Sequence, residues 1–170
     1  MKNNKFLIIG MSEFGIHLAT RLSGLNNEIC IVDIDEEKVD NLKDSFENVL
    51  RCDCLQDNTI RELGVKDYTA VVVCVGDNFQ NSLEITSKLK EFGAKHIVVK
   101  SYSDIQSKFL KMAGADEIIY PEKETAIKLA TTISNAKLID FVKISNDLGI
   151  YQVKVPKEWI NHALIDLNIR

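Results

Sequence analysis

The stretch KFLIIGMSEFG, residues 5–15, joins a short apolar run to a glycine-containing loop and the start of a helix-like segment. It has the pattern Gly-x-Ser-x-x-Gly, a variant of the dinucleotide-binding fingerprint Gly-x-Gly-x-x-Gly. Gly10 permits a tight turn, Gly15 lets the helix pack closely on the strand, and the helix N-terminus offers amide donors to a phosphate. Ser12 replaces the glycine that lets a phosphate approach the backbone, so we expect an altered rather than a closed site.

A carboxylate follows at the spacing that this fingerprint requires. Asp33 comes eighteen residues after Gly15, at the end of the next apolar run. A carboxylate here accepts hydrogen bonds from both ribose hydroxyls and repels a 2′-phosphate, which favours adenosine or NAD over NADP. The alternative is that Asp33 only caps a helix beginning at Glu36.

Outward from this loop, short apolar runs alternate with amphipathic segments. This alternation predicts an α/β fold, a Rossmann-like doubly wound parallel sheet with ligand loops at the carboxyl ends of the strands. The predicted strands are residues 6–9, 28–32, 48–52, 70–74 and 96–99, and the predicted helices are residues 14–23, 36–46, 58–63, 78–92 and 103–112.

The C-terminal third has a different pattern. A sixth strand, residues 117–120, ends at Pro121, and a long helix with an apolar stripe is expected from Glu122 to about Val142. A strand over residues 150–155 and a helix from Pro156 to Leu164 should follow. We therefore expect a Rossmann lobe over residues 1–120. The helix over 121–145 would either contribute its apolar stripe to a core or, as we favour, dock on a neighbour, and residues 146–170 would either pack on a partner or form the truncated beginning of a C-terminal lobe.

Two further strand ends and a lysine are candidate ligand positions. Asp53 follows the third strand, and Gly76, Asp77 and Asn78 follow the fourth, where a doubly wound sheet gathers its ligand loops. Asp77 is equally suited to capping the next helix. Lys100 ends the fifth strand, where it can meet a phosphate or a carboxylate or simply remain solvated.

Composition excludes several classes of function. A net charge of −4 with 27% charged residues gives no field that attracts nucleic acid. Apolar runs are far shorter than a membrane span and no signal peptide is evident, so we expect a cytoplasmic protein without direct membrane insertion. The four cysteines, in strand-like segments, are expected to be free buried thiols rather than zinc ligands.

Known catalytic motifs are missing from the sequence. His17, His96 and His162 fall in unrelated segments, and there is no nucleophile elbow, Walker lysine motif or Tyr-x-x-x-Lys pair. The sequence therefore favours a binding domain that is not itself an enzyme.

Taken in order, these motifs resemble the RCK (regulator of potassium conductance) or TrkA-N domain, as in regulatory subunits of the Ktr and Trk potassium uptake systems. The resemblance covers almost the whole chain. It is carried by the residue 10–15 loop and by Asp33-Ile34-Asp35, Asp53-Cys54, Gly64-Val65, Gly76-Asp77-Asn78 with Asn81, Ala113-Gly114-Ala115-Asp116-Glu117 and Pro121-Glu122.

The resemblance implies a cytosolic gating subunit, peripheral to the membrane, that forms homodimers in which the helix of residues 121–145 crosses over to the partner. The dimers would then form an octameric ring beneath a membrane-embedded potassium transporter subunit. The ligand would be an adenine nucleotide, NAD(H), ADP, AMP or ATP, with a divalent cation possible at Glu122. The residues expected at the nucleotide are Gly10, Ser12, Glu13, Phe14, Gly15, Asp33, Ile34, Asp35, Asp53, Cys54, Val75, Gly76, Asp77 and Lys100.

One departure from the family pattern bears on the ligand. ATP-responsive members have an arginine where this chain has Glu13, and a carboxylate repels a terminal phosphate unless a cation bridges them. Two other hypotheses stay open. The chain could be a small NAD-dependent oxidoreductase, or it could be a degenerate Rossmann scaffold without a ligand. The departures from the family pattern at Ser12 and Glu13 suggest the scaffold.

Overall fold

The computed structural model describes residues 4–76, 78–134, 138–143 and 148–167. The chain divides into two compact units, Met1–Tyr120 and Pro121–Arg170.

The first unit contains one six-stranded sheet with helices between the strands. Its strands are β1 (Lys5–Ile9), β2 (Glu28–Asp33), β3 (Asn48–Arg51), β4 (Ala70–Val73), β5 (Ile97–Lys100) and β6 (Glu117–Ile119). Its helices are α1 (Glu13–Ser23), α2 (Glu36–Leu42), α3 (Asp57–Glu62), α4 (Phe79–Glu91) and α5 (Asp104–Ala113), with a short 3-10 turn at Val65–Asp67. The strand order is β3-β2-β1-β4-β5-β6 and every neighbouring pair is parallel. The predicted doubly wound Rossmann-like sheet is confirmed.

Alternate side chains of the central strands enter two separate cores, one on each face of the sheet. Leu7 and Ile9 pack with residues of α3, α4 and α5, whereas Ile8 between them packs on the face that α1 covers. Val71 and Val73 likewise enter the first of these cores, and Val72 enters the second. The period of two along each strand explains why these strands are apolar at every position, because a parallel sheet is buried on both faces.

The order of the strands fixes the place of a ligand site. The chain winds outward in one direction from β1 through β2 to β3, and in the other from β4 through β5 to β6. The direction reverses between β1 and β4, so the loops after these two strands separate and leave a crevice at the carboxyl edge.

The second unit differs from the sequence prediction. Helix α6 (Pro121–Ser134) ends well before Val142, and β7 (Leu138–Lys143) pairs antiparallel with β8 (Gly149–Val153). The predicted continuous helix from Glu122 to about Val142 is therefore wrong in its last part. The last part of the predicted helix is a strand because it pairs with β8. The ring of Phe141 stacks on that of Tyr151 with centroids 5.9 Å apart, and local periodicity cannot reveal such a contact.

The predicted helix from Pro156 to Leu164 is also wrong. The described tail contains only short 3-10 turns at Lys157–Trp159 and Leu164–Leu167. Pro156 sets the backbone for one turn, but that turn ends at Ile160 in extended conformation. Among the helices that the structure describes, none has the length and apolar character needed to cross a membrane.

Candidate functional site

A cleft of about 310 Å³ opens at the carboxyl edge of the sheet, at the reversal of strand order. It is bounded by the loops after β1, β2, β3 and β4 and by one side of α4. The lining residues are Ile9, Gly10, Met11, Ser12, Val32, Asp33, Ile34, Asp35, Lys38, Cys52, Asp53, Cys54, Leu55, Val75, Gly76, Asn78, Asn81 and Ile85.

Two glycines hold the first loop in a shape that other residues cannot adopt. Gly10 has a φ of +94°, and a Cβ there would lie 2.5 Å from the backbone nitrogen of Val75. A Cβ on Gly15 would lie 2.7 Å from the carbonyl oxygen of Gly10. The loop after β1 is thus packed against both the loop after β4 and the first turn of α1, as the fingerprint requires.

Ser12 is the N-cap of α1. Its hydroxyl oxygen accepts a hydrogen bond from the amide of Gly15 at 3.3 Å. The serine therefore satisfies one of the amides that a helix N-terminus leaves without an intrahelical partner. Its side chain also lines the cleft, so the substitution of the second fingerprint glycine narrows the site without closing it.

Asp33 joins the loop after β1 to the loop after β2. One carboxylate oxygen accepts the amide of Met11 at 2.5 Å and the other accepts the amide of Asp35 at 2.9 Å. The residue is 9% exposed and lines the cleft. The N-cap of α2 is Asp35, whose carboxylate accepts the amides of Glu37 and Lys38. Asp33 is therefore not the cap of that helix.

Asp53 closes the turn after β3. Its carboxylate accepts the amide of Leu55 at 2.9 Å and the side-chain amide of Gln56 at 3.1 Å. The thiols of Cys52 and Cys54 flank Asp53 and interact with each other. The neighbouring Cys54 thiol lowers the pKa of Cys52, and the Cys52 thiol together with burial raises the pKa of Cys54.

The charges on the cleft wall are mostly negative. Among the described lining residues, Asp33, Asp35 and Asp53 carry carboxylates and Lys38 alone carries an amine. Such a wall suits hydroxyl and amide donors better than several phosphates. Any phosphate would need a cation or the amides of a helix N-terminus as its partner.

Lys100 is buried outside the set of lining residues. It is 7% exposed, and its ammonium lies 4.5 Å from the centre of the Tyr102 ring and 5.9 Å from that of Phe14. Phe14 is in the first turn of α1, so the lysine charge lies near the helix that begins at the glycine loop.

The structure thus brings together most of the residues that the sequence predicts at a ligand. Those on the cleft wall are Gly10, Ser12, Asp33, Ile34, Asp35, Asp53, Cys54, Val75 and Gly76. Four predicted residues do not line the cleft: Glu13, Phe14, Gly15 and Lys100. The first three form the first turn of α1, which lies next to the cleft. Asp77 lies outside the described residues. Glu122 is exposed in the first turn of α6, in the second unit.

Several lining residues were not predicted. Lys38 lies in the first turn of α2, five residues after the end of β2, and no motif of the sequence marks it as a lining residue. Asn81 is held by Asn78, a residue of the predicted loop after β4, whose side chain accepts the amide of Asn81 at 3.2 Å. The sequence predicts Cys52 as a buried strand residue, but β3 ends at Arg51 and Cys52 is half-buried at the cleft. Within the described ranges, no cluster of three or more His, Cys, Asp or Glu side chains is placed to hold a metal ion.

The parallel sheet, the glycine loop and the acidic end of β2 define a Rossmann-type domain with a ligand cleft at its strand-order reversal. Residues 6–121 match the model of the TrkA-N domain family. The chain belongs to the TrkA-N domain family.

Relatives and solved structures agree with this assignment. The chain is 31% identical over 170 residues to Ktr system potassium uptake protein A of Bacillus subtilis (strain 168), covering all of this chain and 77% of that protein. The NAD(P)-binding domain of an exopolyphosphatase-related protein from Archaeoglobus fulgidus superposes with a TM-score of 0.70 at 20% identity, over 78% of this chain and 98% of that one. GsuK bound to ADP superposes with a TM-score of 0.65 at 19% identity, over 79% and 34% of the two chains. At these identities the structures show a shared fold.

Proposed function

We propose that this chain is the cytosolic, nucleotide-sensing regulatory subunit of a potassium uptake system, and that an adenine nucleotide binds in the cleft. The observation that carries the proposal is the position of Asp33: a buried carboxylate at the carboxyl edge of the sheet, hydrogen-bonded to the glycine loop, in a chain of the TrkA-N family. The similarity to a Ktr potassium uptake protein supplies the transport role.

The cleft walls suggest how the nucleotide is held. The ribose hydroxyls donate to the carboxylate of Asp33, which retains lone pairs beside its two amide donors. The phosphates lie toward the first turn of α1, where the amides of Glu13 and Phe14 have no intrahelical partner. The adenine lies among Ile34, Asp53 and Cys54, where apolar surface meets carbonyl and carboxylate acceptors for its amino group.

The charge of the wall favours nucleotides with few phosphates. AMP, ADP and NAD(H) place less negative charge beside three lining carboxylates and Glu13 than ATP does. The fold relatives described as an NAD(P)-binding domain and as bound to ADP are consistent with this choice. ATP would require a divalent cation, for which Glu122 is the proposed ligand by resemblance to the family.

Assembly is proposed through the second unit. None of the residues of α6 is buried, and Ile127, Leu129 and Ile133 are among its exposed apolar side chains. A second copy of the chain would cover this face in a homodimer, and dimers would form a ring below the membrane-embedded transporter subunit. The nucleotide then acts through its difference in affinity between conformations of the ring.

The subunit is proposed to bind its nucleotide without converting it. The described cleft brings together carboxylates, amides and two thiols, with no histidine on its wall. A hydride-transfer enzyme would need an acid or base beside the nicotinamide.

Incubation with each nucleotide, followed by chromatography of the ligand and by size-exclusion of the protein, tests the proposal. We expect the nucleotide to be bound and returned intact, with a shift in the size of the assembly. Oxidation of NADH or hydrolysis of ATP that depends on the protein would instead identify an enzyme. Absence of binding by all nucleotides would identify a scaffold.

A further inference from the structure

The four cysteines of the chain fall into two classes. Cys30 and Cys74 are buried in or directly after strands and do not line the cleft. Cys52 and Cys54 both line the cleft, one residue apart, and Cys52 is the only one of the four, all within the described residues, that is half-buried rather than buried. The pair is therefore accessible to small solutes that enter the cleft.

The two thiols are separated by one residue and line the same cleft. The single intervening residue limits their Cα separation to about 7 Å in a fully extended chain. Disulfides span Cα separations of about 4.4–6.8 Å. The segment after Cys52 is a turn rather than a strand, closed by Asp53 onto Leu55, and a turn shortens the Cα separation below its extended value.

The surroundings assign different roles to the two sulfurs. Cys52 is half-buried at the cleft, whereas Cys54 is 5% exposed and part of the core. The neighbouring Cys54 thiol also lowers the pKa of Cys52, although burial and the carboxylates of Asp53 and Glu62 act in the opposite direction, and the Cys52 thiol and burial raise the pKa of Cys54. The more exposed Cys52 is thus the thiol that reacts first, and Cys54 is the thiol that resolves.

We propose that Cys52 and Cys54 are a peroxide-oxidisable thiol pair inside the cleft. The Cys52 thiolate attacks hydrogen peroxide, breaking the O–O bond, and forms a sulfenic acid while hydroxide leaves. The Cys54 thiol then displaces the sulfenic hydroxyl, giving a Cys52–Cys54 disulfide and one molecule of water. In sum, two thiols lose two electrons and two protons, and one peroxide is reduced to two molecules of water.

Two other roles for the pair are less well supported. A zinc site needs further ligands, and within the described ranges no third histidine, cysteine or carboxylate completes a cluster with them. A purely structural role would suit Cys54, which packs in the core, but it does not account for a second thiol facing an open cleft. A short-loop disulfide of this kind is strained and therefore easily reduced again, as suits a reversible modification.

Oxidation would alter the wall at which the nucleotide is proposed to bind. The disulfide would draw Cys52 and Cys54 together around Asp53, the residue that closes the turn on that wall. This consequence, unlike the oxidation itself, rests on the proposed function. A bound nucleotide should shield the pair, and the disulfide should weaken nucleotide binding.

Peptide mapping tests the oxidation directly. Trypsin cleaves after Arg51 and Arg61, so the peptide of residues 52–61 contains both thiols and no other cysteine. The chain is treated with hydrogen peroxide, the remaining thiols are alkylated, and the digest is analysed by mass spectrometry. We expect this peptide to become unalkylatable and about 2 Da lighter, at least about tenfold faster than the peptides that contain Cys30 or Cys74 lose their reactivity.

Two variants assign the roles of the sulfurs. In Cys54→Ser, we expect Cys52 to accumulate as a sulfenic acid that a dimedone probe captures. In Cys52→Ser, the remaining Cys54 should be about as unreactive as the buried Cys74. Equal rates at all cysteine peptides, or loss of Cys54 reactivity at an unchanged rate in Cys52→Ser, would overturn the proposal.

A second arm separates this inference from the proposed function. The oxidation is repeated with saturating ADP, and with the same concentration of inorganic phosphate as a control. Slower formation of the disulfide with ADP alone supports a shared cleft. If the disulfide forms equally fast with and without ADP, the thiol pair stands and the nucleotide placement fails.

Discussion

The carboxylate of Asp33 accepts the backbone amide of Met11 at 2.5 Å, which joins the end of β2 to the glycine loop after β1. This bond holds together the two segments on which a Rossmann-type site depends: the loop that faces phosphate and the acid that faces ribose. The other carboxylate oxygen accepts the amide of Asp35 and so orients the side chain toward the cleft. The predicted ribose ligand is preorganised before any nucleotide arrives.

Removal of this carboxylate should weaken nucleotide binding. Asp33→Ala takes away the ribose acceptor, so we expect the binding free energy of ADP or NAD to become less favourable by about 1–3 kcal/mol. Isothermal titration measures the change. Asp44→Ala, at an exposed position after α2, is the matched control and should bind as the wild type does. Since Asp33 also holds Met11, a thermal melt must show that the variant is folded. Unchanged affinity in folded Asp33→Ala would refute the placement of the ribose.

The charge of Glu13 should set the preference among phosphates. Glu13→Gln removes a carboxylate from the first turn of α1, next to the proposed phosphate position. We expect ATP affinity without magnesium to rise by roughly 3- to 10-fold, because about 1 kcal/mol of repulsion is removed, while AMP affinity changes little. Titrations at low and high salt check that the effect is electrostatic. An equal gain for AMP and ATP would contradict this account of the substitution.

The glycine loop should not tolerate a side chain. Gly10→Ala combines a φ of +94° with a Cβ 2.5 Å from the nitrogen of Val75, and we expect a loss of about 3 kcal/mol or more in the free energy of unfolding. Gly24→Ala is the control, since its φ is −63° and its added Cβ meets no atom closer than 3.5 Å. Urea denaturation of both variants gives the comparison. Equal stabilities would show that the loop is free to relax.

Asp116 should contribute to stability in a pH-dependent manner. Its carboxylate accepts the amide of the buried Ile97 at 2.8 Å and lies 3.3 Å from the Lys90 ammonium, and both contacts lower the pKa of Asp116. A lowered pKa stabilises the fold above the ordinary aspartate pKa of about 3.9, and this contribution is lost as the pH falls through the folded-state value.

Asp116→Ala should therefore lower the free energy of unfolding by about 1–3 kcal/mol at pH 7, because the buried Ile97 amide loses its acceptor. The difference from wild type should shrink toward pH 3. Asp40→Ala, which removes an exposed ion pair with Lys43, should cost under about 0.5 kcal/mol. If the loss of unfolding free energy in Asp116→Ala did not depend on pH, this would contradict the conclusion that the ionised carboxylate stabilises the fold.

The parts of the fold that the sequence predicts are those with local signals. The alternation of apolar strands with amphipathic helices predicts the parallel sheet, and the fingerprint with Asp33 predicts one edge of the cleft. The prediction for the second unit fails where a non-local pairing decides the structure: Phe141 belongs to a hairpin with Tyr151 rather than to a helix. Periodicity over the residues around Phe141 carries no information about that partner.

The site is predictable to the same extent. Residues that follow strand ends, such as Asp33, Asp53 and Gly76, are predicted from topology, since parallel strands deliver their carboxyl ends to one edge. Lys38 enters the cleft from a helix, and its contribution depends on the orientation of α2, which the sequence does not define. Lys100 lies at the predicted strand end but outside the lining residues, beside the rings of Tyr102 and Phe14. The contact with Phe14, which belongs to α1, depends on tertiary packing that the local sequence does not show.

The most direct test of the central claim, that the cleft binds an adenine nucleotide, is calorimetric titration of the purified chain. NADH, NAD, ATP, ADP and AMP are each titrated with and without magnesium, against wild type and Asp33→Ala. We predict micromolar binding of at least one of AMP, ADP or NAD(H), weaker binding of ATP without magnesium, and loss of affinity in Asp33→Ala. No heat of binding with any of the five would contradict the account and leave the fold as a scaffold without a ligand.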